Sequence, residues 1–422
     1  MIAQATERPA AGTLAVAAAI AGNTLEWFDF TVYGLFSIYI AKAFFPAGSE
    51  LASLLATLAT YGVGFVLRPI GAVVLGQYAD RAGRRAALTL IILLMLIGSA
   101  IIAFAPTYAR IGAAAPALIV LARLIQGFSV GGEMGGATAY LIETAPADRR
   151  GLYASWQYAG QAGAALGGAL LAFALTRMLG AQAVYDWGWR IPFIVGLSIA
   201  PIGLYLRAKV PETPAFLTKQ LQARAPIAIL WQHHRIALVQ TFCLTIQLTA
   251  CTYLLVIYMP TFAVHALGVT TDTAFRAASV ASLLYLAMNP VAGRLSDSIG
   301  RPRQMLAASL TLAVLVYPAF LLMARYPTAP VLTVVSGLMA TALSLYTGPS
   351  AAQVGEMFPP AVRSTGLSLS YNIAVPIFGG FAPYFVTRFD TGSHLAPAWY
   401  MLACAVPTLA TLVWMRAARP KA

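Results

Sequence analysis

Apolar residues arrive in long runs. From about position 15 onward, stretches of about 20 residues with scarcely a charge alternate with short connections rich in Gly, Pro, Arg and Asp. As a helix rising 1.5 Å per residue, such a run covers a hydrocarbon core of about 30 Å. No tract alternates like a lipid-facing strand, so helices are the way to satisfy the backbone in lipid. The pattern predicts twelve spans, at 15–42, 52–78, 87–106, 114–140, 152–177, 187–207, 236–264, 275–295, 304–323, 330–355, 364–387 and 396–416. The first is Ala-rich and follows Arg8, like a signal peptide, but its apolar character continues past any cleavage site, so it reads as a span.

Composition agrees: 59% of residues are hydrophobic and 10% charged, mean hydropathy is +0.76, and soluble domains carry roughly 25% charged residues. The net charge of +13 invites a nucleic-acid reading, which its distribution removes. Most of the 27 Lys and Arg, including Arg81, Arg84, Arg85, Arg149, Arg150, Arg294, Arg301, Arg303 and Arg363, fall on one side of the twelve-span map. That bias places both termini in the cytoplasm and predicts a multi-pass protein of a bacterial inner membrane. The expected partner from this pattern is the lipid bilayer, with no nucleic acid and a functional monomer. Cys243, Cys251 and Cys404 lie in spans and His233, His234, His265 and His394 at span ends or in loops, so neither a disulfide framework nor a metal spacing results. No nucleophile elbow, HExxH or P-loop is present, and neither enzymatic activity nor a cofactor is expected.

The longest connection, 208–235, is polar, carries Pro211, Pro214 and Pro226, and separates an N-terminal half (1–207) from a C-terminal half (236–422) as a cytoplasmic linker. The halves echo each other. Gly76-Gln-Tyr-Ala-Asp80-Arg-Ala-Gly-Arg84-Arg85 after span two returns as Gly293-Arg-Leu-Ser-Asp297-Ser-Ile-Gly-Arg301-Pro-Arg303 after span eight. Glu143 with Arg149-Arg150-Gly151 after span four returns as Glu356 with Arg363 and Gly366 after span ten. Two unrelated motifs recurring at nearly one offset, about 215 residues, mean a duplicated six-helix unit.

The G-x-x-x-D-x-x-G-R-R loop and its repeat resemble the major facilitator superfamily. Gly22-Asn-Thr-Leu-Glu-Trp-Phe-Asp29, Leu67-Arg68-Pro69-Ile-Gly71, Arg123-Leu-Ile-Gln-Gly127 and Trp187-Gly-Trp-Arg-Ile-Pro-Phe193 resemble its metabolite:proton symporter branch. Ala41-Lys-Ala-Phe-Phe-Pro46 and Arg68-Pro-Ile-Gly-Ala-Val-Val-Leu-Gly76 look most like the citrate and tricarballylate transporters. The resemblance spans nearly the whole chain. It implies an all-α membrane fold of two pseudo-symmetric six-helix halves, working by alternating access. One departure is that the second loop has Ser298 after Asp297 and Pro302 where the first has Arg85, so a weaker second-half gate is expected.

Charges inside the membrane mark function by default, and here they fall in the first half: Glu26, Asp29, Arg68, Arg123 and Glu133. Asp29 lies about 21 Å into span one and Arg123 about 25 Å from the cytoplasmic end of span four, which puts them at similar height. Sugar:proton symporters of the superfamily resemble this, with a span-one Asp facing a span-four Arg. Glu26, Arg68 and Glu133 form a second layer, roughly 11–18 Å deep. The Asp29–Arg123 pair reads either as the coupling site or as a structural ion pair. Glu26 reads as coupling or as held by Arg68 for assembly. Glu133, within Gly131-Gly-Glu-Met-Gly-Gly136, reads as cavity-lining or as a residue of a tight helix seam. Neutral candidates for holding substrate beside Arg123 and Arg68 are Tyr33, Gln157, Tyr158, Gln161, Gln247, Tyr253, Tyr346, Tyr371 and Asn372, each with packing as the bland alternative. The expected gate set is Asp80, Arg84, Arg85, Glu143, Arg150, Asp297, Arg301, Glu356 and Arg363. Trp187 and Trp189 read as an interfacial belt, with Arg190 snorkelling.

A coupling scheme follows. Ionised Asp29 neutralises Arg123; protonating Asp29 leaves Arg123 uncompensated, and an anionic substrate restores the partner. The expected function is proton-coupled import of an organic acid, citrate or a related di- or tricarboxylate. Alternatives are the same fold carrying shikimate, 2-oxoglutarate or a zwitterion such as proline or betaine, or a non-transporting transceptor. The chain ends at Ala422 without a long coiled coil, which speaks against the osmosensing members of the branch.

Overall fold

The computed structural model describes residues 13–82, 84–131, 134–198 and 226–417. Glu133, the side chains of Asp80, Arg84 and Arg85, and most of the expected linker lie outside the described residues. Among the described residues the chain is helical throughout, and eight helices are long and apolar enough to cross a membrane.

The spans follow the apolar runs, with breaks where backbone chemistry demands them. Span one is Thr13–Leu35 continued by Ser37–Phe44. Span two is Glu50–Val66 continued by Arg68–Ala82. Ser49 caps it, its hydroxyl accepting the Ala52 amide at 3.1 Å and satisfying one first-turn N–H. Span three is Arg84–Phe104, span four Ala114–Val130 continued by Met134–Thr144, and span five the start of Arg150–Asp186. Span six begins beyond Arg190. In the second half, spans eight to ten are Thr271–Ile299, Arg301–Arg325 and Ala329–Glu356, and span twelve is Ala396–Ala417. Gly300, at φ 90°, makes the sharp turn between spans eight and nine that a side chain would strain.

Spans seven and eleven are not simple helices. Arg235–Thr252 passes into a π-helical turn at Tyr253–Tyr258 before Met259–His265, and Arg363–Val375 into another at Pro376–Gly380 before Ala382–Arg388. Such widened turns cluster at functional sites because they re-aim side chains without ending the helix. Here both lie near the middle of their spans, facing the first half: Gly380 packs on the Phe65 ring and Tyr253 on Trp27, Tyr61 and Phe65.

Span eight packs most extensively on spans five and ten, and span one on span five. The outward faces carry exposed Leu338, Val314 and Val406, as lipid contact requires. Residues 226–233, within the expected linker, form the helix Pro226–His233, whose Leu230 seats against Leu238, Phe358, Val362 and Leu367. Trp189 departs from the aromatic-belt expectation. It is fully buried between Phe44 and Phe193, while Trp187 is half exposed. The Arg190 guanidinium covers the Trp189 ring and donates to the Ala103 carbonyl at 2.8 Å.

Candidate functional site

Four described charges are buried between the helices, Glu26, Asp29, Arg68 and Arg123. All belong to the first half. What brings the arginines together is a glycine seam between spans two and four. A Cβ on Gly127 would stand 1.5 Å from the Gly64 carbonyl oxygen, and one on Gly131 2.0 Å from that of Arg68. The backbones therefore touch, and the two guanidinium groups arrive side by side at one aromatic ring. Arg123 lies 4.3 Å from the Phe30 centroid and Arg68 5.0 Å from it. Trp27 and Phe65 complete the surroundings of Arg68, and Tyr33 and Tyr61 those of Arg123. The Arg68 backbone packs at Gly131, about one turn nearer the basic face than Arg123, which packs at Gly64, and the two guanidinium groups meet at the Phe30 ring.

The expected direct pairing of Asp29 with Arg123 is replaced by a relay. Arg123 Nη1 donates to Gln126 Oε1 at 2.8 Å, Gln126 Nε2 donates to Ser99 Oγ at 3.0 Å, and Ser99 donates to Asp29 Oδ2. Asp29 Oδ1 has no hydrogen-bond partner and faces Gly196 of span six, where a Cβ would stand 2.5 Å away. Ser99, Gln126 and Gly196 were missed by sequence reasoning. Gln126 carried a signal, since it lies three residues from Arg123 and so on the same helix face.

The centre holds an excess of donors. Nε and Nη2 of both Arg68 and Arg123, Gln161 Nε2, and the hydroxyls of Tyr61 and Tyr253 are buried without a hydrogen-bond partner. Buried donors without acceptors are costly. Tyr371 lies beside Gln161, within electrostatic reach of Arg68. Tyr33, by contrast, reaches the Thr57 carbonyl at 3.4 Å.

Other expected substrate contacts are engaged elsewhere. Gln157 is cross-bonded to Asn23 by two 2.9 Å hydrogen bonds. Gln247 Oε1 accepts from Ser309 at 2.5 Å, and the Tyr346 hydroxyl donates to the Leu244 carbonyl at 2.7 Å, both within the second half. Asn372 donates to the Gly131 carbonyl at 3.0 Å, a bond between halves that leaves Oδ1 free of a partner. Tyr158 and Tyr371 line a cavity of about 20 Å³ with Thr138, Thr245 and Ser350, room for one water and not for a polycarboxylate.

On the basic face the halves are latched by polar groups. Asp297 Oδ1 and Oδ2 accept the Gly151 and Leu152 amides at 2.8 and 3.0 Å, so the second half caps the span-five helix of the first. Arg301 pairs with Asp297 at 3.1 Å and with Glu356, which also meets Arg150 at 3.6 Å. Arg363 pairs with Glu143 at 3.0 Å. The second-half loop makes a full set of contacts despite its departure from the first. Asp297 uses backbone amides and Arg301, neither of which needs a basic residue at position 298. On the opposite face the halves meet through an ion pair, Arg177 with Asp272 at 3.7 Å, and through neutral contacts: Ser37 with Thr261 at 2.9 Å, Phe36 stacked on Phe275, and Gly34 against Ile257.

The fold and this buried site define a membrane transporter. A family model described as Sugar (and other) transporter matches residues 14–232, and one described as Major Facilitator Superfamily matches 265–422. The chain belongs to the major facilitator superfamily. It is 37% identical to the citrate-proton symporter of Salmonella typhi, over 95% of this chain and 93% of that protein. Likewise it is 37% identical to the alpha-ketoglutarate permease of Escherichia coli K12, over 93% and 91%, and 34% identical to the proline/betaine transporter of Salmonella typhimurium, over 95% and 83%. Among solved structures, the partially occluded inward-open xylose transporter XylE of E. coli superposes with a TM-score of 0.77 at 20% identity, covering 96% of this chain and 97% of that one.

Proposed function

We propose that the protein is a proton-coupled symporter that imports an organic acid anion, citrate or a related di- or tricarboxylate, across the inner membrane. The observation that carries this is the surplus of buried donors around Arg68 and Arg123. A ligand rich in carboxylate oxygens supplies the missing acceptors, and two adjacent guanidinium groups suit two carboxylates, each gripped by parallel hydrogen bonds. The 37% identity to a citrate-proton symporter and to an alpha-ketoglutarate permease supports the same chemistry.

Asp29 is the proton site in this reading. Its relay to Arg123 makes the two charges interdependent: ionised Asp29 compensates Arg123, and protonated Asp29 frees it for the anion. The halves rock about the central site. The Asp297–Glu356–Arg150 and Arg363–Glu143 contacts form the cytoplasmic gate, and the Ser37–Thr261 and Phe36–Phe275 contacts the external one.

A zwitterion such as betaine is the second reading, given the proline/betaine relatives. A quaternary ammonium needs an aromatic cage. The rings available here, Trp27, Phe30 and Phe65, already hold Arg68, which favours the anion. The test is uptake into proteoliposomes with simultaneous proton measurement, screened over citrate, tricarballylate, 2-oxoglutarate, shikimate and proline. Proton-linked uptake of a polycarboxylate is expected; uptake of proline alone would replace this reading with the second.

A further inference from the structure

We propose that Ser99 is the switch that lets Asp29 take and release a proton, and that Gln126 transmits the outcome to Arg123. This rests on the reading of Asp29 as the proton site. The Ser99 hydroxyl has one hydrogen and two acceptors within reach: Asp29 Oδ2 and, at 3.0 Å, the Met95 carbonyl one turn back on its own helix. Its oxygen also accepts from Gln126 Nε2 at 3.0 Å. A hydroxyl oxygen can accept two hydrogen bonds while donating one.

Two complete arrangements follow. With Asp29 ionised, the Ser99 hydrogen points to the carboxylate and Gln126 donates to Ser99. When a proton adds to Asp29 Oδ2, the new O–H donates to Ser99 Oγ, and the Ser99 hydrogen turns to Met95. The only bond made or broken is the carboxyl O–H. The relay atoms themselves, from Arg123 Nη1 through Gln126 and Ser99 Oγ to Asp29 Oδ2, keep a partner in both states, so the switch orphans no further buried group.

Gln126 gives the switch its reach. In the ionised state, donors point the same way from Arg123 through Gln126 and Ser99 to Asp29, an alignment that favours both terminal charges. Protonation removes the negative end, and Arg123 keeps a neutral amide acceptor but loses its counter-charge. Ser99 and Gln126 are buried, so water does not replace either in the relay. Ser99 and Gln126 are positioning residues. The titratable and charged groups on the elements around Asp29 are Arg123 from span four, Arg68 and Tyr61 from span two, Tyr158 from span five, Tyr253 from span seven, and Glu26 and Tyr33 on its own helix. Span three presents Ser99 and span six Gly196, neither of them charged.

The test needs no ligand. Infrared difference spectra of the purified full-length protein, titrated with pH, show a protonated-carboxyl band, and the part lost in Asp29→Asn belongs to Asp29. In Ser99→Ala the ionised carboxylate loses its donor. The Asp29 band should then persist to higher pH, with a midpoint shifted up by about 1–2 units, a 10–100-fold tighter hold on the proton. Ser99→Thr should restore the parental midpoint. Gln126→Met should shift it the same way by less, and it serves alone if Ser99→Ala does not fold. An Asp29 band whose midpoint is unmoved in Ser99→Ala, or in Gln126→Met where that variant stands alone, overturns the relay. No band assignable to Asp29 at any pH overturns the underlying reading of Asp29 as the proton site.

Discussion

The two halves of the core answer the same problem, polar groups in a membrane, in opposite ways. The second half buries no described charge, and several of its polar groups pair among themselves: Gln247 with Ser309, Asn289 with Thr347 at 2.8 Å, Tyr346 with Leu244, and Thr408 with the Cys243 carbonyl at 2.6 Å. The first half keeps all four described buried charges, and its arginines keep donors unused. The second half has unpartnered atoms too, Thr249 Oγ1, Ser336 Oγ and Gln304 Oε1 among them, but these are neutral groups. A half with unspent charged donors is built to receive something. Tyr253 links them: its π-helical turn carries a free hydroxyl from the second half into the first half's aromatic cluster.

The sharpest way to break this contrast is at Arg123. An ammonium replaces a planar fork by a point charge. Arg123→Lys should weaken carboxylate binding by about 2–5 kcal/mol, read by titration calorimetry with citrate. Arg68→Lys should cost less, on the order of 1–3 kcal/mol, and should harm a tricarboxylate more than a monocarboxylate. Equal losses for both ligands would make Arg68 a structural partner only. At the basic-face latch, Asp297→Asn removes one acceptor from two helix-terminal amides and the charge facing Arg301. The expected cost is about 1–2 kcal/mol, seen as a shift of inter-half spin-label distances toward an open basic face, with ligand affinity little changed. Gln247→Leu should do least to binding, within about 0.5 kcal/mol, the range of substitutions away from special features. It should lower thermal stability instead, since Ser309 loses its acceptor. A large loss of citrate affinity there would show that the second half also binds.

Much of this was legible before any coordinates. Charged residues in apolar runs located the centre because lipid makes them too costly to be incidental, and the repeated loop motifs located the basic-face latch. The relay was not legible as such. Ser99 is one of several hydroxyl residues in apolar helices, nearly all of which satisfy themselves on the preceding turn, as Ser279 does on Phe275 and Thr333 on Ala329. Only the approach of span one tells Ser99 apart. Depth arguments set Arg68 below Arg123 but gave no sign that the two guanidinium groups share the Phe30 ring. The π-helical turns leave no periodic trace, and they decide why Tyr253 points to the centre while Gln247, two turns earlier, does not.

The central claim is that Asp29 carries the coupled proton and Arg123 the anion. It is tested most directly by Asp29→Asn in proteoliposomes, with exchange and uphill accumulation of citrate measured on the same preparation. A permanently neutral side chain at position 29 leaves Arg123 ready for the anion but unable to return empty with the proton released. Exchange of internal for external citrate should persist at near-parental rate, while accumulation driven by a pH gradient should vanish. If Asp29→Asn still concentrates citrate as well as the parent, the proton travels on another group and the account is wrong.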